Sequence, residues 1–157
     1  MPAPEQGPDA KHPQYLAWQK RWQKWRDLTE GEDALKEGGR STDYIPRLHQ
    51  QDEDTYCEYV GRAAYYPATG RTVDALVGAL FYRAPLQELP RDLAPLSESL
   101  RPALEVAARE IVTVGRLGVL CEIKDGQPVL CLYRAESVIN WRRAPDGRLS
   151  LVVLLEQ

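Results

Sequence analysis

Gly115-Arg116-Leu117-Gly118-Val119-Leu120-Cys121-Glu122-Ile123-Lys124-Asp125-Gly126-Gln127-Pro128-Val129-Leu130-Cys131-Leu132-Tyr133 is where the chain changes character. Upstream of it, apolar residues recur at helical spacing; from Gly118 onward they fall in short runs separated by turn signals. Gly118–Ile123 reads as a strand, Asp125-Gly126 as a turn with Pro128 just past it, and Val129–Tyr133 as the return strand. Gly115 to Gly118 joins a helix to a strand, the reverse of a dinucleotide-binding fingerprint. Arg134–Ser137 reads as a bend, Val138–Arg142 as a short β segment, and Ala144-Pro145-Asp146-Gly147 as a second turn. Leu149–Leu155 is the last strand. Its run Leu151-Val152-Val153-Leu154-Leu155 lacks alternation, so both faces are expected to be covered. Such a strand so close to Gln157 predicts a chain that continues further, or a strand completed by something else.

Upstream, Ser97–Val114 is expected to be helical, with Leu100, Leu104, Ala107, Ala108, Ile111 and Val112 on its inner face and Pro102 confined to its first turns. Ala84–Ala94, with Pro85 and Pro90, reads as a loop. Tyr65-Tyr66-Pro67-Ala68-Thr69-Gly70-Arg71-Thr72-Val73 holds a break and a restart: Pro67 ends an arriving helix, and Thr69 is placed to cap the next, which runs to about Tyr82. Val73, Leu76, Val77 and Leu80 fall at i, i+3, i+4 and i+7, one apolar stripe, and Gly78 with Ala79 is expected to let another backbone come close. A further helix is expected to start at Asp52-Glu53-Asp54, carboxylates that suit a positive helix end, with Tyr56, Tyr59, Val60, Ala63 and Ala64 on its apolar face. Asp43–Leu48 reads as extended, because Pro46 biases Ile45 away from helix, and Glu30–Ser41 as a loop.

The N-terminal part divides at residue 13. Residues 1–12 are rich in Pro, Gly and charge and read as a disordered or draped arm. From Pro13 a helix is expected, with Tyr15, Trp18, Trp22 and Trp25 on one face, Leu28 extending it, and Lys20, Arg21, Lys24 and Arg26 on the other. Aromatic and basic residues together suit nucleic acid, and an amphipathic basic helix suits a membrane surface. Docking of the stripe on the chain's own core or on a neighbouring subunit is the reading adopted, since aromatic anchors dominate cores and interfaces. The whole order, helices over 13–114 and then an antiparallel β region over 115–157, gives an α+β class with a sheet of hairpins.

Composition narrows the function. The 157 residues carry a net charge of -3, which argues against a binder driven by counterion release. No run is long and apolar enough for a membrane span, and the N-terminus has no apolar signal region. Cys57, Cys121 and Cys131 lack metal spacing and read as reduced thiols in a cytosolic setting. Histidine occurs only as His12 and His49, so neither a zinc site nor a histidine triad has much to build on. There is no nucleophile elbow and no phosphate-binding loop. Asp52, Glu53 and Asp54 are the carboxylate cluster on which a metal would rest, and Asp52 and Asp54 those on which an acid–base reaction would rest; a solvated helix start is preferred for them. Neither a catalytic constellation nor a cofactor site is expected.

Three segments, in order, resemble a bacteriophage portal family. The first is Tyr65, Tyr66, Arg71, Thr72, Val73, Gly78, Phe81, Arg83 and Pro85; the second Gly115, Arg116, Gly118, Val119 and Leu120; the third Ile139, Asn140, Trp141 and Arg142, within 133–142. Family members often have Asn where this chain has Pro67. The resemblance covers most of residues 40–157 and implies the N-terminal part of a portal subunit, without the stem helices that line the DNA channel. It implies a ring, commonly dodecameric, that serves as head–tail connector at one capsid vertex. DNA passes through it without sequence-specific binding during packaging and ejection. Its partners are other copies of itself, the terminase, the capsid, and tail or adaptor proteins, and it resides in the virion after assembly in the host cytoplasm. On this reading the Tyr15, Trp18, Trp22, Trp25 stripe supplies one ring patch, and Trp22→Glu is expected to stop assembly while leaving the subunit folded. The alternative is a free-standing oligomeric interaction or adapter domain, for which Lys20, Arg21, Lys24 and Arg26 on the basic aromatic helix are the candidate nucleic-acid contacts.

Overall fold

The computed structural model describes residues 7, 9–36, 41–83, 90 and 96–156. Among the described residues six helices precede two β-hairpins: α1 Pro13–Glu30, α2 Glu32–Lys36, α3 Ser41–Tyr44, α4 Glu53–Arg62, α5 Ala68–Leu80 and α6 Ser97–Val114, then β1 Leu117–Lys124, β2 Gln127–Arg134, a 3-10 turn Ala135–Ser137, β3 Val138–Arg143 and β4 Leu149–Leu154. The fold is α+β. Helices α1, α5 and α6 pack on one another, and α6 also touches the base of the first hairpin.

Local chemistry sets the boundaries. His12 caps α1, its Nδ1 accepting from the Gln14 amide at 3.1 Å, and Pro13 takes the first position where no amide donor is needed. Asp52 caps α4, accepting from the Thr55 amide at 2.8 Å. Gly115 closes α6 at φ 75°, a left-handed conformation that favours glycine, and its amide donates to Ile111 at 2.9 Å. Asp125 and Gly126, at φ 53° and 76°, form the two-residue turn between β1 and β2. The hairpins remain separate two-stranded antiparallel sheets, with Leu120 opposite Cys131 and Trp141 opposite Val152. Cys121 faces Leu130, so Cys121 and Cys131 lie on opposite faces of their ribbon, and all three cysteines are free thiols.

The core is small. Tyr15 and Trp22 of α1 bury against Ala135 and Ile139, with Val114, Trp141 and Val153 packed around them. The described part of the N-terminal arm is draped on β3, with the His12 amide on the Ile139 carbonyl at 2.9 Å and the Asn140 side chain on the Ala10 carbonyl at 2.8 Å.

Several expectations are corrected. Within the expected loop Glu30–Ser41, Glu32–Lys36 is helical, because acids at its start and Lys36 at its end suit the helix dipole and Lys36 pairs with Glu32. Asp43 and Tyr44, expected to be extended, belong to the single turn α3, which Pro46 then stops. Helix α5 begins at Ala68 with Pro67 as N-cap and no side-chain bond, so Thr69 lies inside the first turn and does not cap. On α6, Leu104 and Ile111 are 38% and 54% exposed, while the residue that turns inward is Glu110. β4 is not covered on both faces: Leu149 and Leu151 are 56% and 47% exposed. The expected loop at Ala84–Ala94 lies outside the described residues except for Pro90, as do residues 1–6 of the arm.

The close backbone approach on α5 occurs at Gly70, not Gly78. A Cβ on Gly70 would lie 2.7 Å from the Thr29 carbonyl oxygen of α1, whereas one on Gly78 would meet nothing within 4 Å. Gly70→Ala is therefore expected to destabilise by about 1–3 kcal/mol, as overpacking does, and Gly78→Ala to stabilise by about 0.5–1 kcal/mol through helix propensity. Urea unfolding of the two variants checks the opposite signs.

Candidate functional site

A turn of 3.6 residues brings positions seven apart onto one line. Tyr15 and Trp22 form one such line on α1, and Trp18 with Trp25 forms a second, roughly 60° away around the helix. The helix rests on the 3-10 turn and β3 along the first line only. Tyr15 and Trp22 are therefore 4% and 3% exposed, while Trp18 and Trp25 remain 40% and 47% exposed. Tyr15 and Trp22 meet edge to face at 5.4 Å, and the Tyr15 hydroxyl donates to the Glu136 carbonyl at 3.1 Å. The stripe expected to form one subunit patch is thus split. Tyr15 and Trp22 are withdrawn as interface residues because this chain already covers them; Trp18 and Trp25 stay available.

The basic face divides in the same way. Lys20, Arg21 and Lys24 are exposed, and Arg21 lies on the surface between Trp18 and Trp25. Arg26 does not belong with them. Its guanidinium donates to Glu136 at 2.7 and 2.8 Å and to Glu110 at 3.0 and 2.7 Å, so two carboxylates neutralise it. Donation to Glu136 and Glu110 raises the Arg26 pKa still further. Burial is the largest single influence on the Glu136 carboxyl and pushes it up, but the Arg26 hydrogen bonds, a backbone hydrogen bond and the charges of Arg26 and Arg134 together outweigh it and hold the carboxyl below the usual carboxylate range. These three residues clamp α1 to α6 and to the 3-10 turn, which removes Arg26 as a nucleic-acid contact. Beside them Asp27, 1% exposed, accepts from Gln23 at 2.8 Å and from the Tyr44 hydroxyl at 2.7 Å.

Arg116 is a second half-buried arginine. Its guanidinium lies 4.0 Å from the Trp141 ring centre and 5.5 Å from that of Trp22, while His12 stacks on Trp141 at 3.9 Å. One of its N–H groups reaches the Val138 carbonyl at 3.3 Å. A Cβ on Gly118 would lie 3.0 Å from Val138, so glycine is what lets the two hairpins meet here.

Next to this stack runs an open groove of about 490 Å³ between α1 and the hairpins, lined by Trp18, Val119, Leu149, Val152 and Leu154 with Arg116 and Arg143. A second groove of about 370 Å³ lies between Trp25, Val73, Leu76 and Val112. Trp18 and Trp25 each border one of the two, so the exposed line of α1 joins them. The chemistry on offer is apolar burial with cationic margins.

At the start of α4, Asp52 and Glu53 are engaged locally. The Thr55 amide and hydroxyl hold the Asp52 carboxyl below its usual range, and Glu53 pairs with Arg47 at 2.8 Å. Among the described residues no group of His, Cys, Asp or Glu is placed to hold a metal ion, and no helix is long and apolar enough to cross a membrane.

The structure also gives local roles to residues of the three resembling segments. Tyr65 donates to the Leu28 carbonyl of α1 at 2.9 Å, Arg71 lies 5.1 Å over the Tyr66 ring, and Arg116 and Trp141 join the second and third segments. Compared with protein-family models and with curated proteins, the sequence matches none.

Proposed function

We propose that this chain is part of a structural subunit of a phage portal ring, the head–tail connector through which DNA is packaged and ejected. The observation that carries the reading is apolar surface left open on several elements at once. Leu76 and Leu80 of α5, Val119 and Ile123 of β1, Leu149 and Leu151 of β4, and Trp18 and Trp25 of α1 are each at least 40% exposed. Scattered surface leucines need no explanation, but apolar residues lining two adjoining grooves mark an interaction surface. A ring subunit presents two different patches, one to each neighbour, and two grooves at the margin of one helix suit that demand. The order of the three resembling segments supplies the identity of the ring, and their internal contacts fit a motif that serves folding.

Sedimentation of the purified chain across a salt series tests the proposal. An apolar ring interface predicts self-association that persists or strengthens with salt. The second reading, favoured by the exposed run Trp18, Arg21, Trp25 with Lys20 and Lys24 beside it, is an adapter that meets nucleic acid. It predicts binding to single strands that weakens steeply as salt rises. Monomers at every salt concentration, without strand binding, contradict both.

A further inference from the structure

The two half-buried arginines contrast. Arg26 has two carboxylates, whereas Arg116 has a ring on either side and one backbone carbonyl, and its Nη1 is buried with no hydrogen-bond partner. Burial disfavours its charged form. A desolvated cation without a carboxylate is costly, and the groove beside it contains a second arginine, Arg143, and no acid among its lining residues. What completes this groove is an apolar side chain with a carboxylate next to it.

The tip of the first hairpin has that chemistry. Ile123 is 79% exposed, with Glu122 before it and Lys124 and Asp125 after it, so the tip is net negative where the groove is net positive. The face of β1 that carries Ile123 also carries Val119 and Cys121, opposite Pro128, Leu130 and Leu132, without a charge between Val119 and Ile123. Val119, at the groove, and Ile123, at the tip, are four residues apart on one paired strand, or about 13 Å. A paired strand does not fold back, so the tip of one chain does not reach its own groove.

We propose that the Ile123 tip of one copy seats in the Trp18–Leu149–Val152 groove of the next, with a tip carboxylate facing Arg116 and Arg143. Knob and hole are different surfaces, so the contact is head to tail, and it closes into a ring when the rotation between copies closes. This inference rests on the ring reading above and names the two surfaces that meet.

Two variants and their mixture test it. Ile123→Glu blocks the knob, and Leu149→Glu places an acid in the hole; both sites are exposed, so each variant is expected to keep the circular dichroism and melting temperature of the parent. Each alone is expected to lose self-association by at least about tenfold, as central interface residues do. Mixed in equal amounts they should form a one-to-one dimer and nothing larger, because one intact knob and one intact hole remain. Variants that assemble like the parent, or a mixture that stays monomeric, overturn the knob-and-groove contact while leaving the ring in place. A parent chain that never self-associates overturns both.

Discussion

Arg26→Met is expected to destabilise the chain by about 3 kcal/mol, within the range found when one partner of a buried ion pair is removed. Arg26 is the shared donor for Glu110, whose side chain is 10% exposed, and for Glu136, whose side chain is 35% exposed. The second value places the loss at the lower end of that range, because water screens Glu136. Without Arg26 two carboxylates are left between α1, α6 and the 3-10 turn. Arg134, 3.7 Å from Glu110 and mostly exposed, is a poor substitute.

The loss depends on pH with a definite sign. In the parent, the Glu136 carboxyl is held below its unfolded range. Its stabilising contribution is therefore fully present above about pH 4.3, the unfolded value, and disappears as pH falls through the lower folded value. In the variant the share of this lowering that comes from Arg26 is gone, and burial, the largest single influence, favours the protonated acid. Protonation then relieves the variant while it weakens the parent. The gap between the two is expected to be widest at neutral pH and to narrow below about pH 4, as measured by urea unfolding. A gap that stays the same at both ends of the range contradicts the clamp.

Trp22→Ala is expected to cost about 3–5 kcal/mol, the usual penalty for deleting a buried tryptophan. That corresponds to a melting temperature lower by roughly 10 °C for a chain of this size. Trp22 is 3% exposed and lies in the same cluster as Tyr15, Ala135 and Ile139. Trp22→Glu removes the same packing and desolvates a carboxylate beside Arg116, and is expected to destabilise the subunit at least as much, reversing the outcome that the uninterrupted aromatic stripe suggested. Trp18→Glu, four residues earlier on the same helix, is expected to change stability by less than about 1 kcal/mol, as exposed substitutions do. Its effect should fall on self-association, because Trp18 borders the groove between α1 and the hairpins. Thermal melts paired with sedimentation separate the two tryptophans; if both variants melt together, the division of the stripe into core and interface is wrong.

The elements were legible where one local signal dominated. Asp125-Gly126 dictated a two-residue hairpin, Asp52 a helix start, and Gly115 the end of α6, because each depends on a few neighbouring backbone atoms. Burial was less legible, because it depends on partners distant in sequence. Nothing near Arg26 indicates that Glu110 and Glu136 will meet it, although an acid among the apolar positions of α6 was a signal available to find. The seven-residue spacing of Tyr15 and Trp22, and separately of Trp18 and Trp25, already contained two lines; which line is buried followed only once α1 rested on the 3-10 turn. The apolar run of β4 signalled burial, yet it is open here. The proposal of a ring rests on that excess of apolar surface over what this chain covers.

Electron microscopy of the purified chain, under the conditions where sedimentation shows its largest species, addresses the ring most directly. The account predicts closed rings around a central opening, in which the tip of each first hairpin points into the neighbouring subunit. Isolated particles of single-chain mass at every concentration, or open filaments that never close, would contradict it.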